Sequence, residues 1–96
     1  MKMWLMYDIS DTRKRTRLRK LCRDFGLIPV QRSVFVGIVD DSRTELFFKK
    51  AEGIMDTETD SLIIVPATDR GIRNSITFGC GFDKKLALRE YNVIVI

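Results

Sequence analysis

Apolar and polar residues alternate at the start of the chain, and this pattern predicts a strand over residues 2–9. The residues of one face are Met3, Leu5, Tyr7 and Ile9, and those of the other are Trp4, Met6 and Asp8. Because both faces are mostly apolar, the strand is predicted to be central in its sheet. Asp8 then lies at the C-terminal end of a central strand.

A helical period follows this strand. Leu18, Leu21, Cys22 and Phe25 recur at the spacing of one helix face. Ser10 or Asp11 can cap the start of this helix, and Gly26 is well placed to end it. The basic residues of the segment fall on the flanks and on the far face of the helix.

The next β-rich run covers residues 28–39, and it is either one strand or two short strands broken near Arg32-Ser33. A second helix is predicted after Asp40-Asp41, with Ser42 and Glu45 as a capping box. The apolar stripe of this helix consists of Phe47, Ala51, Ile54 and Met55.

The last third of the chain is predicted to contain three further strands. A strand over Ser61–Thr68, with Pro66 near its end, is followed by a turn at Asp69-Arg70-Gly71 and by a hairpin strand over Ser75–Cys80. A polar connector with one possible helical turn leads to the apolar strand Tyr91–Ile96. That strand is expected to add to a sheet edge, either of its own chain or of a partner.

Length and composition limit the classes of protein to which the chain can belong. The chain has 96 residues, 45% hydrophobic and 31% charged, which fits one globular domain. It contains no histidine, which excludes a Ser-His-Asp triad and a histidine-ligated zinc site. Two distant cysteines, no signal-peptide pattern and no long apolar run lead us to expect a cytoplasmic protein without a membrane span.

Positive charge is concentrated in one segment. The net charge is +4, and seven of the eleven positions from Arg13 to Arg23 are basic, five of them arginine. Such a block attracts a polyanion, and guanidinium groups match phosphate bidentately. A solvated helix face is an equal alternative on composition alone.

The order of these pieces resembles the Cas2 family of small CRISPR-associated nucleases, which act beside the integrase in spacer acquisition. The matching segments are Tyr7-Asp8-Ile9-Ser10-Asp11, the arginine-rich helix, Gln31-Arg32-Ser33-Val34-Phe35-Val36-Gly37, Leu62-Ile63-Ile64-Val65-Pro66 and Phe78-Gly79. The spacing of these segments is specific, and the resemblance covers nearly the whole chain.

The resemblance implies an α+β ferredoxin-like βαββαβ domain with an extra C-terminal strand, forming a homodimer. Residues 1–80 would be the core of this single domain. Residues 81–96 would be the connector and the strand that packs at the dimer interface. This fold favours the broken version of residues 28–39; an unbroken strand would favour a parallel βαβαβ sheet.

The resemblance also implies a metal-dependent endonuclease acting on RNA or duplex DNA. The alternative is a non-catalytic dimeric scaffold that binds spacer DNA and bridges integrase dimers. Without histidine, hydrolysis needs a carboxylate-held Mg²⁺ or Mn²⁺ to activate water and neutralise charge. Asp8 matches the catalytic and metal-binding aspartate, one from each subunit, although a strand-end acid can instead cap a backbone N–H.

Other site residues follow from the same match. Arg13, Arg15, Arg17 and Arg19 would bind phosphates, and Tyr7, Ser33 and Phe35 would support the site. Alternation places Tyr7 on the face opposite Asp8, which favours a core or interface role for it. Asp11 is a second ligand or, more simply, the helix N-cap. Pro29 and Val30 stand where many relatives have a charged residue, so no phosphate contact is expected there.

Overall fold

A computed structural model describes residues 1–90 and shows a four-stranded antiparallel sheet with helices on both faces. Its elements are β1 (Lys2–Asp8), α1 (Thr12–Asp24), β2 (Leu27–Gln31), β3 (Val34–Ile38), a 3₁₀ turn (Asp41–Arg43), α2 (Thr44–Ile54), β4 (Ser61–Pro66), α3 (Asp69–Arg73) and α4 (Lys84–Ala87). The strand order β2-β3-β1-β4 and the βαββαβ succession are those of a ferredoxin-like fold. The predicted α+β ferredoxin-like class is confirmed, and the parallel alternative is wrong.

The main core lies between the sheet and the pair α1 and α2. The β1 residues that face it are Met3, Leu5 and Tyr7, as the alternation predicts. This layer is completed by two residues of α1, Leu18 and Cys22, and two residues of α2, Phe47 and Ala51. Four further buried residues belong to it: Phe25, Leu27, Phe35 and Val39. The rings of Phe25 and Phe47 pack with their centroids 5.3 Å apart, which joins the two helices.

Helix α1 begins and ends where the sequence predicts. The Asp11 carboxylate accepts a hydrogen bond of 2.9 Å from the backbone N–H of Lys14, so the N-cap interpretation of Asp11 is confirmed. Phe25 closes the helix, and Gly26 follows with a φ of +98°, a conformation that glycine adopts without strain. A Cβ at Gly26 would also lie only 3.1 Å from the carbonyl oxygen of Ile38.

The opposite face of the sheet is covered only in part. Val36 packs there against Ile72 of α3 and against Ala87 and Leu88 of the α4 region. The rings of Trp4 and Phe82 pack edge to face, with their centroids 5.8 Å apart. The β4 half of this face is not covered by any of residues 1–90. There the side chains of Ile63 and Val65 are 54% and 40% exposed.

Two predictions about helix starts are wrong. Ser42 and Glu45 form no capping box, because Ser42 lies within the 3₁₀ turn and α2 begins only at Thr44. The turn predicted at Asp69-Arg70-Gly71 is the first part of α3. The Thr68 hydroxyl accepts a 3.0 Å hydrogen bond from the N–H of Gly71, and this cap starts the helix.

The hairpin strand predicted over Ser75–Cys80 is also wrong. Ser75 is tied to α4 because the Lys84 ammonium group donates to the carbonyl oxygens of Arg73 and Ser75, at 2.9 and 2.7 Å. The segment pairs with no strand among residues 1–90, and it leaves Phe78 92% exposed. The helical turn predicted in the connector is confirmed as α4. The strand predicted over Tyr91–Ile96 lies outside the described residues.

None of the helices that the structure describes has the length and the apolar character needed to cross a bilayer.

Candidate functional site

Asp8 is the last residue of β1, and its side chain is exposed on the partly covered face of the sheet. In the antiparallel register it lies opposite Ser61 of β4, and the next pair on the same face is Met6 with Ile63. Within residues 1–90 its carboxylate forms no salt bridge and accepts no hydrogen bond, so it does not cap a backbone N–H there. Asp8 is therefore a carboxylate at the edge of an apolar surface that has no structural partner in the described part of the chain.

Within residues 1–90, Asp8 does not belong to a cluster of metal-ligating side chains. No three metal-ligating side chains come together anywhere in residues 1–90, and the Asp11 carboxylate is occupied as the cap of α1. Mg²⁺ commonly binds through one or two carboxylates, completed by waters and by substrate phosphates. Asp8 fits such an ion when a second carboxylate or a phosphate comes from outside the chain.

Tyr7 points to the other face and is buried in the main core. Its hydroxyl group donates a 2.7 Å hydrogen bond to the carbonyl oxygen of Arg32, and its backbone N–H donates a 3.0 Å hydrogen bond to the carbonyl oxygen of Ser33. Its ring stacks on Phe35, with centroids 6.5 Å apart. Burial raises the pKa of Tyr7, although the charge of Arg19 opposes this shift. Tyr7 is thus protonated at neutral pH and acts as a hydrogen-bond donor, not as a base.

Arg15 is bound to the loop between β1 and α1. Its Nη1 atom donates to the carbonyl oxygens of Ile9 at 3.0 Å and Ser10 at 2.9 Å, and its Nη2 atom donates to Thr12 Oγ1 at 3.1 Å. These acceptors belong to the residues that follow Asp8. The guanidinium group therefore holds the course of the chain directly after the carboxylate.

A basic cleft of about 450 Å³ opens on the Tyr7 side of the sheet. Its walls are Tyr7, Arg15, Arg19, Arg32 and Ser33. Arg15 and Arg19 are one helical turn apart on α1, and Arg32-Ser33 is the turn between β2 and β3. Among residues 1–90, no acidic side chain lines this cleft.

Arg17 lies on the other flank of α1. It lines a groove between α1 and α2 together with Lys20 and Lys50, and Lys20 is paired with Asp24 at 2.7 Å. Arg13 is fully on the surface near the start of α1. The basic block of the sequence is therefore divided between two flanks of one helix, with the buried stripe between them.

The predicted site residues thus fall into separate places. Asp8 lies on one face, and Tyr7, Arg15, Arg19 and Ser33 lie together on the other. Phe35 is fully buried and does not line the cleft, and its ring stacks on that of Tyr7. Arg32 was not among the predicted site residues, and its position at the predicted strand break, one residue before Ser33, was the available signal.

Comparison with known proteins identifies the family. A family profile described as CRISPR associated protein Cas2 matches residues 1–75. The CRISPR-associated endoribonuclease Cas2 of Desulforudis audaxviator is 32% identical over 75 residues, covering 78% of this chain and 71% of the relative. CRISPR-associated endoribonuclease Cas2 1 of Archaeoglobus fulgidus is 35% identical over 66 residues, 69% of this chain and 70% of the relative.

Solved structures give the same result. The crystal structure of Streptococcus pyogenes Cas2 at pH 6.5 superposes with a TM-score of 0.74 at 26% identity, covering 82% of this chain and all of that one. A hypothetical protein, TT1823 from Thermus thermophilus, superposes with a TM-score of 0.71 at 29% identity, covering 83% and 92%. The resemblance stated from the sequence is confirmed, and this chain belongs to the CRISPR-associated Cas2 family.

Proposed function

We propose that this chain is a CRISPR-associated endoribonuclease that works as a homodimer with Mg²⁺ or Mn²⁺. The observation that carries the proposal is the Asp8 carboxylate, which is exposed, has no partner in residues 1–90, and lies at the edge of an apolar face that these residues leave uncovered. Relatives named as endoribonucleases support the reaction class. Duplex DNA is a second substrate class to be tested beside RNA.

The apolar face beside Asp8 supports a second copy of the chain as the partner. Ile63 and Val65 are exposed there, and Met6 lies between them and Asp8 on the same face. In a twofold dimer the same patch of both subunits meets itself, so each subunit contributes its own Asp8. One carboxylate per chain then supplies two carboxylates to the site, which is a set that Mg²⁺ accepts.

Asp8 would hold a divalent ion, which would supply an acidified water and would neutralise charge on the phosphate. The chain supplies no histidine for proton transfer, and the raised pKa of Tyr7 removes it as a base at neutral pH. The task of the protein is therefore to hold the carboxylate, to bind the phosphates of the strand and to position them. Arg15 fixes the loop after Asp8, and Arg13, Arg17 and Arg19 offer the positive surface of α1.

The experiment compares Asp8→Asn with the parent chain on single-stranded RNA and on duplex DNA, with Mg²⁺, with Mn²⁺ and with EDTA. Asparagine keeps the shape of the side chain and removes its charge. We expect cleavage by the parent to need the metal and cleavage by the variant to fall to the level of the EDTA control. Glu52→Gln, an exposed change of the same charge on α2, is the matched control and should cleave like the parent. Equal cleavage by Asp8→Asn and the parent would refute the role of Asp8.

A second candidate function is the non-catalytic scaffold. It is favoured by the exposed basic flank with Arg13 and Arg17, which lies apart from Asp8 and is suited to a DNA backbone. In this case a dimer binds spacer DNA and bridges two copies of the integrase. Spacer acquisition in cells decides between the two functions. If the chain is a scaffold, Asp8→Asn retains acquisition and the double variant Arg13→Gln with Arg17→Gln loses it. If nuclease activity is required, Asp8→Asn loses acquisition.

A further inference from the structure

The cleft beside Tyr7 has the composition of an anion site. Arg19 and Arg32 approach it from two different elements, and in the described part of the chain neither guanidinium group forms a salt bridge or donates to a protein acceptor. Ser33 adds a hydroxyl group, and none of the described residues brings a carboxylate to the lining. Like charges that share a concave surface repel each other, and an anion between them removes that repulsion while it accepts charge-assisted hydrogen bonds.

Arg15 lines the same cleft but is differently engaged. Three of its N–H···O contacts go to protein oxygens, two of them backbone carbonyls of the loop after Asp8. An ammonium group on a flexible stem cannot reproduce this planar set of donors, although it keeps the charge. The charge of Arg15 and its hydrogen-bonding geometry can therefore be separated by substitution with lysine.

We propose that Arg19 and Arg32, with Ser33, bind one backbone phosphodiester of a single-stranded RNA, and that Arg15 is a positioning residue for the Asp8 loop, not a ligand of that phosphate. This inference rests on the proposed nuclease function and adds the place where the substrate strand is held. A phosphodiester group has two oxygens that can accept guanidinium donors, which suits two arginines that line one cleft from different elements.

Tyr7 connects this cleft to the rest of the site. It holds the β2–β3 turn at two points, through its hydroxyl group to Arg32 and through its backbone N–H to Ser33. The next residue in the chain is Asp8, which the pleat of β1 directs to the other face. The position of Arg32 is thus fixed relative to the strand that carries the carboxylate.

The binding experiment uses the full-length chain in EDTA, so no metal and no cleavage enter the result. A 3′-labelled single-stranded RNA is titrated at several salt concentrations. We expect Arg19→Gln and Arg32→Gln each to weaken binding by roughly tenfold or more and to lower the slope of log K against log salt by about 0.7. Arg70→Gln removes the same charge from α3, away from the cleft, and is the matched control. If either cleft variant behaves like Arg70→Gln, the subsite is refuted.

The same titration with 5′-phosphorylated and 5′-hydroxyl RNA identifies the source of the phosphate. A backbone phosphodiester predicts equal affinity for the two strands. If the 5′-phosphate increases the affinity of the parent, and this increase disappears in Arg19→Gln or Arg32→Gln, the cleft binds a terminal phosphate and the proposal is overturned.

Arg15→Lys tests the positioning role. We expect it to keep the affinity and the salt slope of the parent, and to increase hydrogen exchange of the amides of residues 9–12, where the loop loses its three contacts. Cleavage by this variant should fall while RNA binding stays. Because lysine keeps the charge, the charge-removing variant Arg15→Gln is titrated beside it. A drop of about 0.7 in the salt slope of Arg15→Gln, equal to that of Arg19→Gln, would make Arg15 a phosphate ligand and would refute the assignment.

The two proposals can fail separately. Asp8→Asn should bind RNA in EDTA at least as well as the parent, because the subsite does not use the carboxylate. A chain that binds RNA through Arg19 and Arg32 but never cleaves it would contradict the nuclease and leave the subsite standing.

Discussion

Tyr7→Phe isolates one hydrogen bond of the candidate site. The substitution removes the hydroxyl group that donates to the carbonyl oxygen of Arg32 at 2.7 Å, and it leaves the ring stacked on Phe35. Because the acceptor belongs to the β2–β3 turn, the bond joins β1 to a residue 25 positions away in the sequence. The change therefore affects one tertiary contact without opening a cavity in the core.

The expected cost is about 1 kcal/mol. A buried neutral hydrogen bond contributes about 0.5–1.5 kcal/mol net, and this one is only partly buried, so water can reach the carbonyl oxygen once the hydroxyl group is gone. For a domain of this size about 1 kcal/mol lowers Tm by roughly 4–8 °C.

Urea denaturation of both proteins at one protomer concentration measures this cost, because any self-association would otherwise shift the midpoint. The m-value should be unchanged, since the same surface is exposed on unfolding. Thr16→Val is the matched control: it also removes a hydroxyl group that donates to a carbonyl oxygen, that of Thr12 at 3.0 Å, but on the exposed surface of α1. It should change stability by less than about 0.5 kcal/mol.

The pH dependence gives a second check on Tyr7. Burial raises the pKa of Tyr7 above its ordinary value of 10.0, so the folded state keeps the phenolic proton at a pH where the unfolded state loses it. Stability of the parent should then fall as the pH rises past about 10, and Tyr7→Phe lacks this loss. The difference between the two proteins should shrink above pH 10. A difference that is absent at pH 7, or constant up to pH 11, would refute this account of Tyr7.

Two further predictions concern groups outside the site. Burial raises the pKa of Cys22 to about 12, so in the native protein a thiol reagent at pH 8 should react only with the exposed Cys80. Both thiols should react in guanidinium chloride. Reaction of two thiols per chain in the native protein would contradict the burial of Cys22. The hydrogen bond and the charge of Arg89 lower the pKa of Asp40, so this pair stabilises the fold above about pH 4 and the contribution is lost as the pH falls through the lowered value. Thermal unfolding of Arg89→Met should therefore differ from the parent at pH 6 and approach it near pH 2, and an equal difference at both pH values would contradict the pairing.

The elements that the sequence predicted correctly are those in which local pattern and tertiary burial agree. The faces of β1 follow from alternation, and the same residues are buried in the core. Helix α1 has an acidic cap, an apolar stripe and a closing glycine, and all three signals mark the same bounds. The break in residues 28–39 was left open by the pattern, and the four-stranded order of the sheet decides it.

The predictions that failed needed information beyond local alternation. The Ser75–Cys80 segment has the apolar residues of a strand, but a strand forms only beside another, and Lys84 holds its first residue against α4. Asp69-Arg70-Gly71 has the composition of a turn, yet the preceding Thr68 caps it as a helix. Arg32 was missed because its link to Tyr7 spans residues that no local pattern connects.

The two faces of β1 divide the candidate site between them. Tyr7 and Asp8 are neighbours in the chain, and the pleat directs the first toward the basic cleft and the second toward the apolar face that the described residues leave exposed. One phosphate cannot contact both groups, because the end of the strand lies between them. A substrate that uses both must pass around this end, beside the loop of residues 9–12 that Arg15 holds. The geometry of that loop therefore determines how many nucleotides separate the phosphate held in the cleft from the phosphate that reaches Asp8.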